Sequence, residues 1–145
     1  MIFISITLNT FTPNTQIESA KVNTNFTNVS AAIRPTFTAT IVGTLTTGTD
    51  KTPSLIVPRA LTIEKVYAYV KTPPTGASII LDINVNGTTI WTTQGNRTTI
   101  IAAANLGTSS NFDTASLTEN DVITVDVDQV GTGGGVDLTI EIKCS

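Results

Sequence analysis

From Ile79 the chain alternates: Ile79, Leu81, Ile83 and Val85 occupy every second position, and Ile80, Asp82, Asn84 and Asn86 lie between them. This is the period of a pleated strand with one face in a core. Asn86-Gly87 follows. Both residues tolerate positive φ, so a tight type I′ turn and a returning strand over Thr88-Thr89-Ile90-Trp91 are expected. The same period recurs in Leu61 to Lys71, where Leu61 and Ile63 share one face and Val66, Ala68 and Val70 form the next inward set. The one-residue slip between those sets, at Glu64-Lys65, predicts a β-bulge. Asp121 to Val130 turns Ile123, Val125 and Val127 inward against Thr124, Asp126 and Asp128, and Val136, Leu138, Ile140 and Ile142 repeat the pattern near the C-terminus.

Shorter strands are expected over Phe37 to Leu45, Ser54 to Val57 and Arg97 to Ala104, with a Gly-, Ser- and Asn-rich loop around Phe112. Thr72 to Gly76 and Gly131 to Gly135 read as turns. About eight short strands at regular spacing point to an all-β fold, an antiparallel β-sandwich of jelly-roll type. Its expected core is Ile79, Leu81, Ile83, Ile123, Val125, Val127, Leu138, Ile140 and Ile142.

The N-terminal part is patterned differently. Met1 to Leu8 alternates Ile2, Ile4 and Ile6 against Phe3, Ser5 and Thr7, an extended arm that exposes apolar side chains unless it docks on something. It is too short for a membrane span or a signal peptide. After Pro13, Thr15-Gln16-Ile17-Glu18 fits a capping box, with Ser19 as the alternative cap. Val22, Phe26, Val29 and Ile33 then recur at intervals of four, three and four, one narrow stripe on a helix expected to end at Arg34-Pro35. The remaining faces carry Asn23, Thr24, Asn25, Thr27 and Asn28, all weak helix formers, so the helix depends on packing its stripe. It can pack against its own β body, or against symmetry mates or another protein; the spacing leaves both open. The chain thus divides into an arm and helix over residues 1–35, read as an assembly segment, and a sandwich over residues 36–145. Ile2, Ile4, Val22, Phe26, Val29 and Ile33 are the candidate interface residues.

Composition narrows the function. The 145 residues are 40% hydrophobic, enough for one domain with a core, and only 13% are charged. Threonine is about a fifth of the chain, a bias toward β-branched residues that suit strands. A net charge of −3, with Lys51, Arg59, Lys65 and Lys71 scattered among acids, offers no footprint for nucleic acid or an anionic membrane surface. Cys144 is the single cysteine and there is no histidine, which excludes an intrachain disulfide, structural zinc and any His-dependent nucleophile within one chain.

The remaining chemistry has plain readings. Asp126, Asp128 and Asp137 flank a glycine turn and could offer oxygens to calcium, but their spacing lacks the ligand pattern of a calcium loop, and solvated outer-face acids are the simpler reading. Gly131 to Gly135 is followed by neither Lys-Ser/Thr nor a helix, so it reads as a hairpin turn rather than a phosphate loop. Glu119 and Asp121 point to one side as a glycosidase pair would, yet they sit at a turn where acids stay in water. Trp91 reads as core or rim, while Tyr67 and Tyr69 share a strand face that could serve as a binding platform. No catalytic, metal or cofactor residues are assigned, and no enzymatic activity is expected.

The runs Val70-Lys71-Thr72-Pro73-Pro74-Thr75-Gly76-Ala77-Ser78 and Asp82-Ile83-Asn84-Val85-Asn86-Gly87-Thr88-Thr89-Ile90, with Leu117 to Val130, Gly131 and Asp137-Leu138-Thr139, resemble a jelly-roll domain of tailed-bacteriophage virion proteins. Val22-Asn23-Thr24-Asn25-Phe26 is similar to the V-N-x-N-F helix that precedes such domains in phage tail and capsid accessory proteins. The resemblance spans most of Ile17 to Ile142 and carries no catalytic motif. It implies a structural virion protein on the outer surface of the capsid: a cement or decoration subunit that forms a homo-oligomer, a trimer, and clamps the major capsid protein. The alternative is a receptor- or carbohydrate-binding module of the tail or a fibre. The single body, the apolar arm and the lack of a long shaft favour the capsid role.

Overall fold

A computed structural model describes residues 8–10, 12–13 and 18–145, residues 30–32 by their backbone alone. The chain divides into two compact units, an N-terminal one running through Pro35 and a β body of residues 36–144.

The N-terminal unit contains helix α1 (Ser19–Ala32). The arm at Met1 to Leu8, apart from Leu8, and the expected capping box up to Ile17 lie outside the described residues. Glu18 is the N-cap in extended conformation, and Ser19 is already the first helical residue. The helix stops earlier than its spacing predicts. Ile33 is the C-cap, with φ −87 and ψ 93, so it leaves the helix instead of continuing the stripe. Pro35 disfavours the α conformation of Arg34, and the chain has already left the helix one residue before that.

The β body has ten strands: β1 (Thr36–Thr44), β2 (Leu55–Ile56), β3 (Leu61–Thr72), β4 (Ile79–Val85), β5 (Thr88–Thr89), β6 (Thr98–Ile100), β7 (Leu106–Ser109), β8 (Ser116–Leu117), β9 (Val122–Gln129) and β10 (Val136–Cys144). They form two five-stranded sheets. The first runs β1-β10-β3-β7 with β8 also on β3, and the second runs β2-β9-β4-β5 with β6 also on β4. All pairings are antiparallel. β5 and β6 follow one another along β4, and β7 and β8 follow one another along β3. Counting each broken pair as one position leaves eight positions, ordered 1-8-3-6 and 2-7-4-5. That order makes the fold an antiparallel jelly-roll sandwich.

The central strands follow the sequence period closely. All nine expected core residues are at most 1% exposed, and Leu61, Ile63, Val66, Ala68 and Val70 of β3 join them. The expected bulge is present: Lys143 pairs with Lys65 but Cys144 pairs with Ile63, so the register skips one position at Glu64. At the tight turn Asn86 and Gly87 both have positive φ, 52 and 78.

The extra strands arise from two excursions on one flank. After Thr89 the chain leaves β4 until Thr98, and after Ser109 it leaves β3 until Ser116. The excursions bind each other. Ile90 O accepts the N–H groups of Asp113 and Thr114, at 3.0 and 3.2 Å. The fully buried Trp91 meets Phe112 with ring centroids 5.7 Å apart, inside the favourable range for aromatic pairs. The Asp113 carboxylate accepts the Thr93 N–H at 2.8 Å and the Thr93 hydroxyl at 3.2 Å. Those bonds, the N–H first, hold its pKa below the usual carboxylate value. Gly107 of β7 lies so close to β6 that a Cβ there would strike the Thr99 carbonyl. The flank is thereby closed across both sheets.

Because Leu81 sits at the centre of this core with no exposed surface, Leu81→Ala is expected to lower unfolding free energy by about 2–5 kcal/mol, from lost transfer energy and the cavity left behind. Urea denaturation measures this, and a loss well below that range would remove Leu81 from the core.

Candidate assembly interface

α1 is built from residues that use their polar groups locally. Thr24 Oγ1 donates to Ala20 O at 2.9 Å and Thr27 Oγ1 to Asn23 O at 3.0 Å, back-bonds that satisfy each hydroxyl without packing it. Glu18 makes no side-chain cap bond; its carboxylate faces Lys21 Nζ at 3.1 Å. Asn25 fastens the preceding segment to the helix. Its Oδ1 accepts from Asn9 N at 2.6 Å and Asn9 Nδ2 at 3.2 Å, and its Nδ2 donates to Asn9 O at 3.2 Å.

The apolar positions are left over. Val22 is half-buried, Phe26 is 71% exposed, Val29 is 36% exposed and Ile33, beyond the helix end, is 62% exposed. Ile2 and Ile4 lie outside the described residues. Among the described residues of the helix Phe26 is therefore the one large apolar side chain that is mostly uncovered, flanked by the partly covered Val22 and Val29 and followed by the exposed Ile33, and a contiguous surface of this kind marks an interaction site.

The acids that tempted a chemical reading are dispersed. Asp126 and Asp128 lie on β9 and Asp137 on β10, in the opposite sheet, so they do not converge on one ion. Each has a structural partner. Asp126 accepts from Asn84 Nδ2 at 3.0 Å and Asp50 N at 2.8 Å, Asp128 pairs with Arg97, and Asp137 accepts Gly43 N at 2.7 Å with Lys71 nearby. Among the described residues no group of three or more His, Cys, Asp or Glu is placed to hold a metal ion. Glu119 is exposed, while Asp121 clamps two turns together, accepting from Thr118 N at 2.7 Å and Asn86 Nδ2 at 2.8 Å. Gly131 to Gly135 forms a turn closed by Gly134 N to Gly131 O at 2.8 Å, and a Cβ on Gly131 would strike the carbonyls of Thr75 and Ala77.

On the outer face of the first sheet, Tyr67 lies beneath two ammonium groups. Lys65 Nζ is 4.9 Å and Lys143 Nζ 4.8 Å from its ring centre, within cation–π range. Tyr69, half exposed, stands opposite Leu106 of β7, which is 54% exposed. Sequence reading had paired the two tyrosines but missed the lysines and Leu106. Lys143 reaches Tyr67 only through the β3–β10 register, and Leu106 belongs to a strand without alternation. No protein-family model matches the chain, and no curated protein matches it.

Two aspartates give opposite pH signatures. Burial, with repulsion from Asp128, raises the Asp82 pKa against the lowering effect of the Thr89 hydroxyl. The Thr118 N–H and the Asn86 amide lower that of Asp121. A raised folded-state pKa means that stability falls as pH rises through it; a lowered one means stability that is present at neutral pH and lost on acidification. Asp82→Asn should therefore raise Tm at neutral pH, with the gain shrinking toward acid, whereas Asp121→Ala should lower Tm at neutral pH, with the loss shrinking toward acid. Thermal melts across pH check both signs.

Proposed function

We propose that the chain is a structural virion protein of a tailed bacteriophage, a capsid cement or decoration subunit. It associates as a trimer and clamps neighbouring subunits of the major capsid protein on the outer surface of the capsid. The observation that carries this reading is the exposed Phe26 of α1, with Val29 partly exposed and Ile33 exposed just past the helix, borne by a unit separate from the β body. A helix of 14 residues rich in Asn and Thr has little stability of its own, and covering large apolar side chains contributes about 1.5–3 kcal/mol for each one fully buried. A partner surface laid over Phe26 and its neighbours would supply that energy. The jelly roll behind it is an architecture that recurs in viral capsid proteins. The proposed role is non-catalytic.

One observation favours a second reading, a carbohydrate- or receptor-binding module of the tail. Tyr69 is half exposed beside Tyr67 and its lysines, and an aromatic face with polar tips suits a sugar ring.

Copy number separates the two, since a capsid role requires numbers on the scale of capsid subunits and a tail role only a few per particle. For the anchor, Phe26→Asp in the full chain, or removal of residues 1–33, should leave the far-UV spectrum of the β body unchanged and abolish rebinding to particles stripped of this protein. Full occupancy by either variant would transfer the anchoring role to the sandwich loops.

A further inference from the structure

A two-sheet sandwich has four edges, and here three are blunted. β2 is two residues long and lies between Pro53 and Pro58. The edge along β4 is broken into β5 and β6, and the edge along β3 into β7 and β8. Shortness, proline and interruption are the usual means by which a fold keeps free N–H and C=O groups from recruiting another strand.

The fourth edge has no such protection over most of its length. β1 runs nine residues, Thr36-Phe37-Thr38-Ala39-Thr40-Ile41-Val42-Gly43-Thr44, with no charge and no proline. It pairs with β10 on one side and with no described strand on the other. Its irregularity is confined to the end, between Ile41 and Thr44, where Gly43 N is held by Asp137. The inward residues Phe37 and Ile41 are only half-buried, and Val42 is 86% exposed.

We infer that the free edge of β1 is a two-fold contact that pairs antiparallel with β1 of a second copy. The strand is self-complementary. About an axis through Ala39, Phe37 meets Ile41 of the other copy, Thr38 meets Thr40 and Thr36 meets Val42. Inward residues stay inward and outward residues outward, as the two-residue period requires. The apolar pair completes cover for two half-buried side chains, and Thr opposite Thr is a favourable cross-strand pair. Because β1 is uncharged, the pairing brings no like charges together along the strand. The contact is isologous, each copy presenting the same patch, and it uses residues distinct from the α1 strip.

Sedimentation equilibrium on the full chain tests this. Thr38→Lys/Thr40→Lys places like charges opposite each other and should halve the particle mass, splitting a pair of the proposed trimers into single trimers, or a dimer into monomers where the trimer contact is absent. Thr108→Lys, the same change on the opposite flank, should leave the mass unaltered, and Phe26→Asp should retain a dimer that the two lysines dissolve. Hydrogen exchange on the parent chain gives a readout independent of any variant: the β1 amides that do not bond to β10 should be protected at high concentration and exchange freely on dilution. An unchanged mass in the lysine variant, a monomeric parent, or β1 protection that is the same at every dilution, as cover by a segment of the same chain would produce, overturns the inference.

Discussion

The inward side chains of β3, β4, β9 and β10 cover one another across the gap between the sheets, and the rest of the structure follows from that dependence. Each of these central strands puts every second residue into the gap between the sheets. The two sheets must therefore hold register within themselves and face each other at once. Residues with no exposed surface run from Val66 and Val70 through Leu81 and Ile83 to Val125 and Ile140. A slip of one residue would turn a whole row to solvent. The bulge at Glu64 is where that demand meets an odd residue: it removes the extra position so that Ile63 and Val66 both point inward.

Such a core solves the two faces and leaves the flanks. On one flank the chain breaks both edge strands and uses the released segments as a plug, Trp91 against Phe112, with the Ile90 carbonyl and the Asp113 carboxylate stitching one excursion to the other. On the other flank β2 is minimal and β1 is long. The asymmetry is consistent with a fold that is finished on one side by its own loops and on the other by something else.

This division also explains what was legible in advance. Central strands were readable because burial on one face imposes strict alternation, and the tight turn at Asn86-Gly87 because positive φ restricts residue choice. β7 was not readable: Leu106-Gly107-Thr108-Ser109 carries Gly107 where alternation would call for an apolar residue, since only a hydrogen fits beneath the Thr99 carbonyl. β8, at two residues, is too short to show a period. The aspartates were correctly read as outward, but sequence spacing could not show that Asp137 belongs to the other sheet from Asp126, because β9 and β10 cross between layers through the glycine turn. The helical stripe was legible as a period, yet its last member, Ile33, is the extended C-cap and lies outside the helix.

The helix and the free edge differ in what they ask of a partner. An apolar strip such as that of α1 is non-directional, and its gain depends on area covered, so it tolerates variation in the surface it meets. A strand edge is directional. Its backbone groups accept only another extended chain, in discrete registers, and the alternating side chains select among those registers. Fixing a flexible segment in place costs conformational entropy that burial must exceed, whereas β1 is already held extended by β10 and loses little more on pairing. The pre-ordered edge is therefore suited to contact between identical copies, where shape can be matched exactly by symmetry, and the helical strip to anchoring on a different chain.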